Sequence, residues 1–296
     1  YPNKYILFDR FSSITFNQLK ESIILNSQNL TSLGISNNDR VVLFLDNSIE
    51  YIEAYFSIIA TGAIVVPLDV KTSKLLFLNI LEDSGSKLIY TRPSFINDLK
   101  PKVLPTDLKY YNHNSKNFKN KKIIKFPKVK KDKIASILYT TGSESEPKGV
   151  ALTHDNILET IRNISEFIPY NSNDHEVVIL PLTHSFGLNH VLCNLNACGS
   201  VAIESGLLRV KSVFNLLKKK ATGFPGSPNI FGIILERYFE LFIEICKNLK
   251  FIVINSSPLP KEMAIKIMQS LPNTKLYVYY GLTEASRSTM ILHSLD

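Results

Sequence analysis

The segment from residue 139 to residue 150 has the composition of an anion-binding loop. It follows a short apolar run, residues 134–138, and it holds hydroxyl side chains, two glycines and one lysine, Lys148. Backbone N–H groups, hydroxyls and an ammonium group are donors that bind phosphates. In the Walker loop a lysine and a hydroxyl residue directly follow the second glycine. Here Lys148 precedes Gly149 and Val150 follows. The segment therefore indicates a polyphosphate ligand and excludes a P-loop kinase or GTPase.

The same segment resembles the phosphate-binding signature of the AMP-forming adenylate synthetases, which include acyl-CoA synthetases, luciferases and peptide-synthetase adenylation domains. That signature reads Tyr-Thr-Ser-Gly-Ser-Thr-Gly-x-Pro-Lys-Gly-Val, and here Glu144 and Ser145 replace a hydroxyl residue and the second glycine. Two further stretches follow in the family's order. Residues 180–187 resemble Leu-Pro-x-x-His-x-x-Gly, and residues 280–284 match Tyr-Gly-x-Thr-Glu. The opening third of the chain fits as well, so the resemblance covers essentially the whole sequence.

The resemblance assigns roles to residues in four places. The β- and γ-phosphates of ATP are expected at Thr140, Thr141, Gly142, Ser143 and Lys148. The adenine is expected to stack on Tyr280, beside Gly281 and beside the turn formed by Asn255, Ser256 and Ser257, which replaces a Gly-Gly-Ala turn of the family.

The catalytic assignments fall on three residues. The Thr283 hydroxyl is expected to meet the α-phosphate, and Glu284 is expected to hold Mg²⁺, for which a carboxylate is a suitable ligand. His184 falls where the family places an aromatic residue or a histidine near the reacting carboxylate. A structural histidine at the end of a strand is an equally good interpretation of His184.

The implied reaction is ATP-dependent activation of a carboxylic acid to an acyl-adenylate. The acyl group then passes to a thiol, either coenzyme A or the phosphopantetheine of an acyl or peptidyl carrier protein. Between Leu180 and Ile203 there is no Asp or Glu to bind a substrate ammonium, which favours a fatty or other apolar acid. The alternatives are an amino-acid or aryl-acid adenylation domain, and a truncated relic that binds nucleotide or acyl chains without turnover.

Local patterns predict an α/β fold. Short apolar runs alternate with amphipathic helices, which indicates parallel sheets covered by helices. Strands are predicted at residues 40–45, 63–67, 87–91, 134–139, 177–180, 200–203, 251–254 and 275–279. Helices are predicted at residues 15–33, 49–60, 74–83, 155–167, 188–197, 210–220, 229–238 and 261–270.

The domain organisation is inferred from the resemblance and from one basic segment. The resemblance implies two stacked αβα sub-domains (αβαβα), which we expect at residues 1–109 and 134–296, joined by a lysine-rich crossing at residues 110–133. Full members of the family continue past the Tyr-Gly-x-Thr-Glu motif. We therefore expect a natural protein longer than this chain or a product truncated before the C-terminal lid domain, and no activity from this fragment alone.

The formal net charge of +8 does not by itself indicate nucleic-acid binding. Residues 116–133 contain nine lysines and one aspartate, so the remainder is close to neutral. The segment is predicted to be a solvated loop, and a basic interaction module acting through it is the alternative. Three cysteines without a C-x-x-C pair, no signal peptide and no apolar stretch long enough for a bilayer favour a cytoplasmic protein without a transmembrane segment.

Overall fold

A computed structural model of the chain describes residues 1–98, 109–112, 126–140, 147–285 and 289–294. The strands, numbered along the chain, are β1 (Tyr5–Phe8), β2 (Ser13–Thr15), β3 (Arg40–Phe44), β4 (Ile64–Leu68), β5 (Leu88–Thr91), β6 (Lys109–Asn112), β7 (Ile134–Thr140), β8 (Lys148–Thr153), β9 (His175–Val178), β10 (Ser200–Ile203), β11 (Gly223–Gly226), β12 (Phe251–Ile254), β13 (Lys275–Tyr280) and β14 (Thr289–His293).

The helices follow the same numbering. They are α1 (Phe16–Ser32), α2 (Ile49–Ala60), α3 (Lys74–Ser84), α4 (Pro93–Asp98), α5 (His154–Phe167), α6 (Ser185–Asn196), α7 (Val210–Leu217), α8 (Pro228–Arg237), α9 (Phe239–Cys246) and α10 (Lys261–Ser270). A short 3-10 turn, Leu207–Arg209, precedes α7. Within the described residues no helix is both long and apolar enough to cross a membrane.

The chain forms two compact units. The amino-terminal unit comprises Thr15–Leu158 together with Pro2, and the carboxyl-terminal unit comprises Asn3–Ile14 and Glu159–Asp296 together with Tyr1. This division differs from the predicted one at residues 110–133. The strands on either side of that segment, β6 and β7, belong to the same sheet, whereas β1 pairs with β10, far along the chain. Long-range strand pairing, which no local pattern encodes, decides the boundary.

The amino-terminal unit contains a six-stranded sheet in the order β6-β5-β3-β4-β7-β8. Strands β3 to β7 run parallel, and the edge strand β8 is antiparallel to β7. Every residue of β4 and β5 is buried, as expected of strands covered on both faces. The first helix, α1, begins at Thr15, where the side chains and backbones of Thr15 and Gln18 form a capping box.

The carboxyl-terminal unit contains an eight-stranded sheet in the order β14-β13-β12-β11-β9-β10-β1-β2. Strands β1 and β9 to β13 run parallel, and β14 is antiparallel to β13. The buried core of this unit includes three aromatic rings that pack edge to face or tilted, Phe224, Phe231 and Phe242. The α/β class predicted from the sequence is therefore confirmed, with a mixed sheet in each unit.

Several elements differ from the prediction. Four predicted elements, at residues 49–60, 200–203, 251–254 and 261–270, have the observed bounds. The strands β1, β2, β6, β8, β11 and β14 and the helices α4 and α9 were not predicted. Strand β11, Gly-Phe-Pro-Gly, carries no local strand signal and is extended because it pairs with β12. Residues 113–125 of the lysine-rich crossing lie outside the described residues.

Candidate functional site

One edge of the eight-stranded sheet collects three of the predicted site segments. Because β9 to β13 run in the same direction, the segments that follow them lie along the carboxyl edge of the sheet. His184 follows β9, the turn Asn255–Ser257 follows β12, and the turn Gly281–Glu284 follows β13. Strands β12 and β13 are neighbours, with Ile254 opposite Val278. The predicted adenine, α-phosphate and metal residues of this unit therefore share one edge.

The turn after β13 presents polar groups to solvent. Tyr280, the last residue of β13, has 63% of its surface exposed. The backbones of Leu282 and Ala285 exchange hydrogen bonds of 3.2 and 3.3 Å, which close the turn. Inside it Thr283 is half-buried and Glu284 is exposed. A ring, a hydroxyl and a carboxylate thus follow one another within five residues at the carboxyl edge.

The turn after β12 has a strained backbone. The Asn255 N–H donates to the Gly226 carbonyl at 3.3 Å, which holds the turn against the end of β11. Ser256 has a φ of 89°, in the region that favours glycine. The resemblance places glycine in this turn, so the chain retains a glycine-like conformation with a serine. A non-glycine residue held at positive φ costs free energy, which the surrounding structure must offset.

Replacing Ser256 with glycine is expected to stabilise the chain by about 1 kcal/mol, because glycine adopts positive φ without a steric penalty. Urea unfolding monitored by circular dichroism measures the change. The matched control is Ser257→Gly, an exposed neighbour whose φ is not positive. The control is expected to be destabilising by about 0.5–1 kcal/mol through chain entropy. Equal destabilisation by both substitutions would show that the turn is not strained at Ser256.

His184 lies at the start of α6. Its backbone N–H donates to the Pro181 carbonyl at 3.3 Å, and its own carbonyl accepts from Leu188 at 3.1 Å. The residue is exposed, and its side chain makes no capping hydrogen bond. The exposed position at the carboxyl edge is compatible with either predicted role of His184, a residue near the reacting carboxylate or a structural histidine at the end of a strand.

Gly187 allows this helix start to approach the chain before it. A Cβ on Gly187 would lie 2.5 Å from the Pro181 carbonyl oxygen and 2.9 Å from that of Leu180. Both atoms belong to the backbone and cannot rotate away. The last glycine of the Leu-Pro-x-x-His-x-x-Gly pattern is thus required by a close backbone contact, which orients the His184 turn.

A buried polar network fixes α6 on the sheet, and sequence reasoning missed it. On β9 the Glu176 carboxylate contacts His190 Nδ1 at 2.7 Å and accepts from the Asn194 amide, and all three residues are fully buried. The Phe186 ring packs on His190 and on Tyr279, with ring centroids 5.4 and 5.2 Å apart. The start of α6 therefore lies against the end of β13. The four-residue spacing of His190 and Asn194 was the available signal.

The predicted phosphate loop belongs to the amino-terminal unit. Thr140 pairs with Lys148 at the loop end of the β7–β8 hairpin, so these two residues flank the loop between the strands. Lys148 is exposed and Thr140 is half-buried. Thr141, Gly142 and Ser143 lie outside the described residues. The loop connects two antiparallel strands, whereas the sequence suggested a strand followed by the loop and a helix.

The hairpin is held by a tyrosine that crosses it. Tyr139 lies opposite Gly149, where a Cβ would come within 2.9 Å of Ile137 Cγ2 and 3.2 Å of the Tyr139 ring. The Tyr139 hydroxyl donates to Asp83. Burial first, and then this carboxylate, raises the pKa of Tyr139 well above its ordinary value, so the hydroxyl remains a donor at neutral pH. The strands that carry Thr140 and Lys148 are therefore fixed to α3.

The described residues contain no group of three or more His, Cys, Asp or Glu side chains that could hold a metal ion. Glu284 would therefore act as a single carboxylate ligand. Mg²⁺ commonly binds in this way, with one or two carboxylates, substrate phosphates and water. The exposed carboxylate fits that role and does not fit a metal site built from protein ligands alone.

Comparison with known proteins identifies the family and the fold of the chain. The AMP-binding enzyme family profile matches residues 1–296. The 4-coumarate–CoA ligase-like 6 protein of Arabidopsis thaliana is 26% identical over 274 residues, which are 86% of this chain and 48% of that protein. Gramicidin S synthase 2 of Brevibacillus brevis is 24% identical over 291 residues, which are 96% of this chain and 6% of that protein. The chain thus spans about half, or less, of these relatives.

Among solved structures, the N-terminal subdomain of Klebsiella oxytoca NpsA, in complex with 3-hydroxyanthranilyl-AMSN, has the same fold. The TM-score is 0.85 at 17% identity, and the match covers 99% of this chain and 73% of that one. The fold therefore matches the N-terminal domain of adenylate-forming proteins. Together with the family match over the full length, this establishes that the chain belongs to the AMP-binding enzyme family.

Proposed function

We propose that this chain is the ATP- and acid-binding portion of an enzyme that activates a carboxylic acid as its acyl-adenylate and passes the acyl group to a thiol. The observation that carries the proposal is the shared carboxyl edge of the eight-stranded sheet, which presents His184, the Asn255–Ser257 turn and the Tyr280–Glu284 segment. The acceptor would be coenzyme A or a carrier phosphopantetheine. Relatives named as a CoA ligase and as a gramicidin S synthase support both acceptors equally.

Each residue of this edge has a distinct task in the proposal. The exposed Tyr280 ring stacks on adenine, and the Asn255 amide meets the base edge. The Thr283 hydroxyl donates to an oxygen of the α-phosphate. Glu284 holds Mg²⁺, which when bound neutralises charge that develops on the phosphates. In the amino-terminal unit, Thr140 and Lys148 flank the loop of Thr141, Gly142 and Ser143, which is assigned to the β- and γ-phosphates.

The chemistry is a displacement at phosphorus followed by an acyl transfer. A carboxylate oxygen of the substrate attacks the α-phosphorus of ATP, the bond to the bridging oxygen breaks, and pyrophosphate leaves. In the carboxyl-terminal unit, Thr283 stabilises the negative charge that develops at the α-phosphate. A thiolate then attacks the acyl carbonyl carbon, and AMP leaves. The acyl-adenylate is reactive because the phosphate is a much better leaving group than the original carboxylate oxygen.

The substrate class we favour is a fatty or other apolar acid. No Asp or Glu lies between Leu180 and Ile203. Of the two carboxylates next to this stretch, Glu176 is fully buried and bonded to His190 and Asn194, and Glu204 is buried and bonded to Arg209 and Ser212. A substrate ammonium would thus find no available carboxylate in this stretch. Leu188, Val191 and Leu192 are buried in the core, which leaves Phe186 as the apolar side chain near the exposed His184. A pyrophosphate-release screen of the full-length protein over fatty, aryl and amino acids tests this choice of substrate class.

Lys148→Ala tests the phosphate assignment. Loss of one charge-assisted contact is expected to weaken ATP binding by about 1.5–3 kcal/mol, measured by titration calorimetry. Because Lys148 is exposed at the end of a hairpin, the thermal unfolding midpoint should not change. The control is Lys133→Ala, an exposed lysine next to the other end of β7. Unchanged ATP affinity in Lys148→Ala would remove the hairpin loop from the proposed nucleotide site.

A further inference from the structure

The amino edge of the eight-stranded sheet, opposite the candidate site, gathers basic residues. The segments that lead into β1 and β9 to β13 meet there, because these strands are parallel. When the first residue of each strand is counted with the segment before it, these segments contain seven lysines and one acidic residue, Asp174. The lysines of this surface, which we call the lysine edge, are Lys4, Lys218, Lys219, Lys220, Lys247, Lys250 and Lys275.

Backbone hydrogen bonds place the lysine-bearing segments side by side. The Lys275 N–H donates to the Lys250 carbonyl at 2.9 Å, and the Lys250 N–H donates to the Thr222 carbonyl at 2.8 Å. Thr222 closely follows the segment that contains Lys218 to Lys220. Adjacent strands are about 4.8 Å apart, so three basic segments lie within about 10 Å.

Most of this charge is not neutralised within the described residues. The Lys4 ammonium donates to the Ser172 and Cys198 carbonyls, and Lys250 pairs with Asp174 at 2.7 Å. The other five lysines are exposed, and none of them forms an ion pair with a residue that the structure describes. The last turns of the helices that end at this edge add only two carboxylates, Glu166 and Glu244.

His175, the first residue of β9, is half-buried at this edge. Burial first, and then the charges of Lys219 and Lys4, lower its pKa to about 4. The imidazole is therefore neutral at physiological pH and adds nothing to the charge of the edge. The shift is in the direction expected beside a concentration of positive charge.

We propose that the lysine edge binds the anionic headgroup surface of a lipid bilayer. Lysine ammonium groups are compact, strongly hydrated point charges, which suit a diffuse negative surface and need no fixed partner geometry. Lysine is depleted in protein–protein interfaces, which argues against an acidic protein partner. Nucleic-acid surfaces commonly add arginine forks and stacking aromatic rings. The described segments of the edge contain no arginine, and their exposed aromatic residues, Tyr1 and Tyr5, lie at and before the start of β1 and not among the clustered lysines of the β11, β12 and β13 segments.

The arrangement has a consequence for orientation. The lysine edge and the carboxyl edge are opposite ends of the same parallel strands. A bilayer that contacts the lysine edge therefore leaves the exposed Tyr280, Glu284 and His184 away from its surface. Membrane contact and ligand binding in this unit are compatible, and the contact does not depend on the proposed reaction.

Vesicle co-sedimentation tests the proposal. The 296-residue chain is expected to bind phosphatidylcholine vesicles only when they contain phosphatidylserine, and added salt should weaken the binding. Each lysine near an anionic surface contributes about fivefold in affinity. A quadruple variant, Lys218→Gln, Lys219→Gln, Lys247→Gln and Lys275→Gln, is therefore expected to bind about 600-fold more weakly, since four such contributions multiply. Lys250 is kept because it pairs with Asp174.

The control variant removes the same charge from exposed lysines elsewhere, Lys20→Gln, Lys71→Gln, Lys74→Gln and Lys261→Gln. It is expected to bind as the parent chain does. An equal loss in both variants would overturn the proposal, because net charge alone would explain binding. The proposal would also be overturned if vesicle binding were lost only on substitution of the lysines in residues 116–133. Binding of a single-stranded oligonucleotide without binding of vesicles would overturn it as well. Should the quadruple variant fail to fold, Lys247→Gln with Lys275→Gln is expected to show half the loss on a logarithmic scale.

Discussion

Replacing Gly187 with alanine is expected to lower the free energy of unfolding by about 2–3 kcal/mol, a large effect for one methyl group. The new Cβ would lie 2.5 and 2.9 Å from two backbone carbonyl oxygens, those of Pro181 and Leu180. Relief requires α6 to move away from the end of β9, and α6 is fixed there by the buried contacts of Glu176 with His190 and Asn194. The steric strain therefore cannot be relieved without disrupting these buried hydrogen bonds. Urea unfolding measures it.

The control for this substitution is another helical glycine. In α8 a Cβ on Gly232 would meet only the Met263 Cε atom at 3.6 Å, an ordinary contact. Gly232→Ala is therefore expected to stabilise the chain by about 0.5–1 kcal/mol through helix propensity. The two substitutions make the same chemical change and should have opposite signs. Equal unfolding midpoints would show that the contact between Gly187 and residues 180–181 is not tight in solution.

In the full-length enzyme, replacing Glu284 with glutamine is expected to lower the rate of acyl-adenylate formation by about 100-fold and to raise the Mg²⁺ concentration needed for half-maximal rate. The substitution keeps the size of the side chain and removes the charge that would bind the ion. Because Glu284 is exposed in a turn, its loss should not change stability. The rate is measured by ATP–pyrophosphate exchange over a Mg²⁺ titration. Where exchange is too slow, the Mg²⁺ dependence of ATP binding serves as the readout.

The matched control is Glu262→Gln. Glu262 is also exposed and lies in the first turn of α10, which follows the Asn255–Ser257 turn at the same carboxyl edge. The Glu262→Gln substitution removes the same charge as Glu284→Gln from the same edge of the sheet. Only Glu284→Gln should shift the Mg²⁺ requirement. A shift of the same size in both variants would mean that Glu284 acts through the general field of the edge and not as a ligand.

The candidate site segments could be recognised from local sequence because each is short and directly follows an apolar run. The buried strands β12 and β13 were predicted at or within one residue of their observed bounds, and the turns Asn255–Ser257 and Gly281–Glu284 come next in the chain. A strand followed by a turn is a local arrangement, and parallel strands put such turns on one edge. The roles of these residues in ATP binding remain predictions.

Other features depended on contacts between distant parts of the chain. The pairing of β1 with β10, the extended form of β11 and the antiparallel hairpin around the predicted phosphate loop arise from strand pairing, which periodicity does not specify. The same is true of the buried Glu176 network and of the contact that requires Gly187.

The lysine edge shows most directly the difference between features that local sequence predicts and features that only strand pairing creates. In sequence its residues are dispersed from Lys4 to Lys275, and Lys218 to Lys220 appear only as the basic end of a helix. The conspicuous basic segment of the sequence, residues 116–133, is a different one. Local patterns of side chains determine which segments become strands, because burial and alternation act over a few residues. The order and direction of the strands determine which of their ends become neighbours, and that order comes from long-range packing of the sheet.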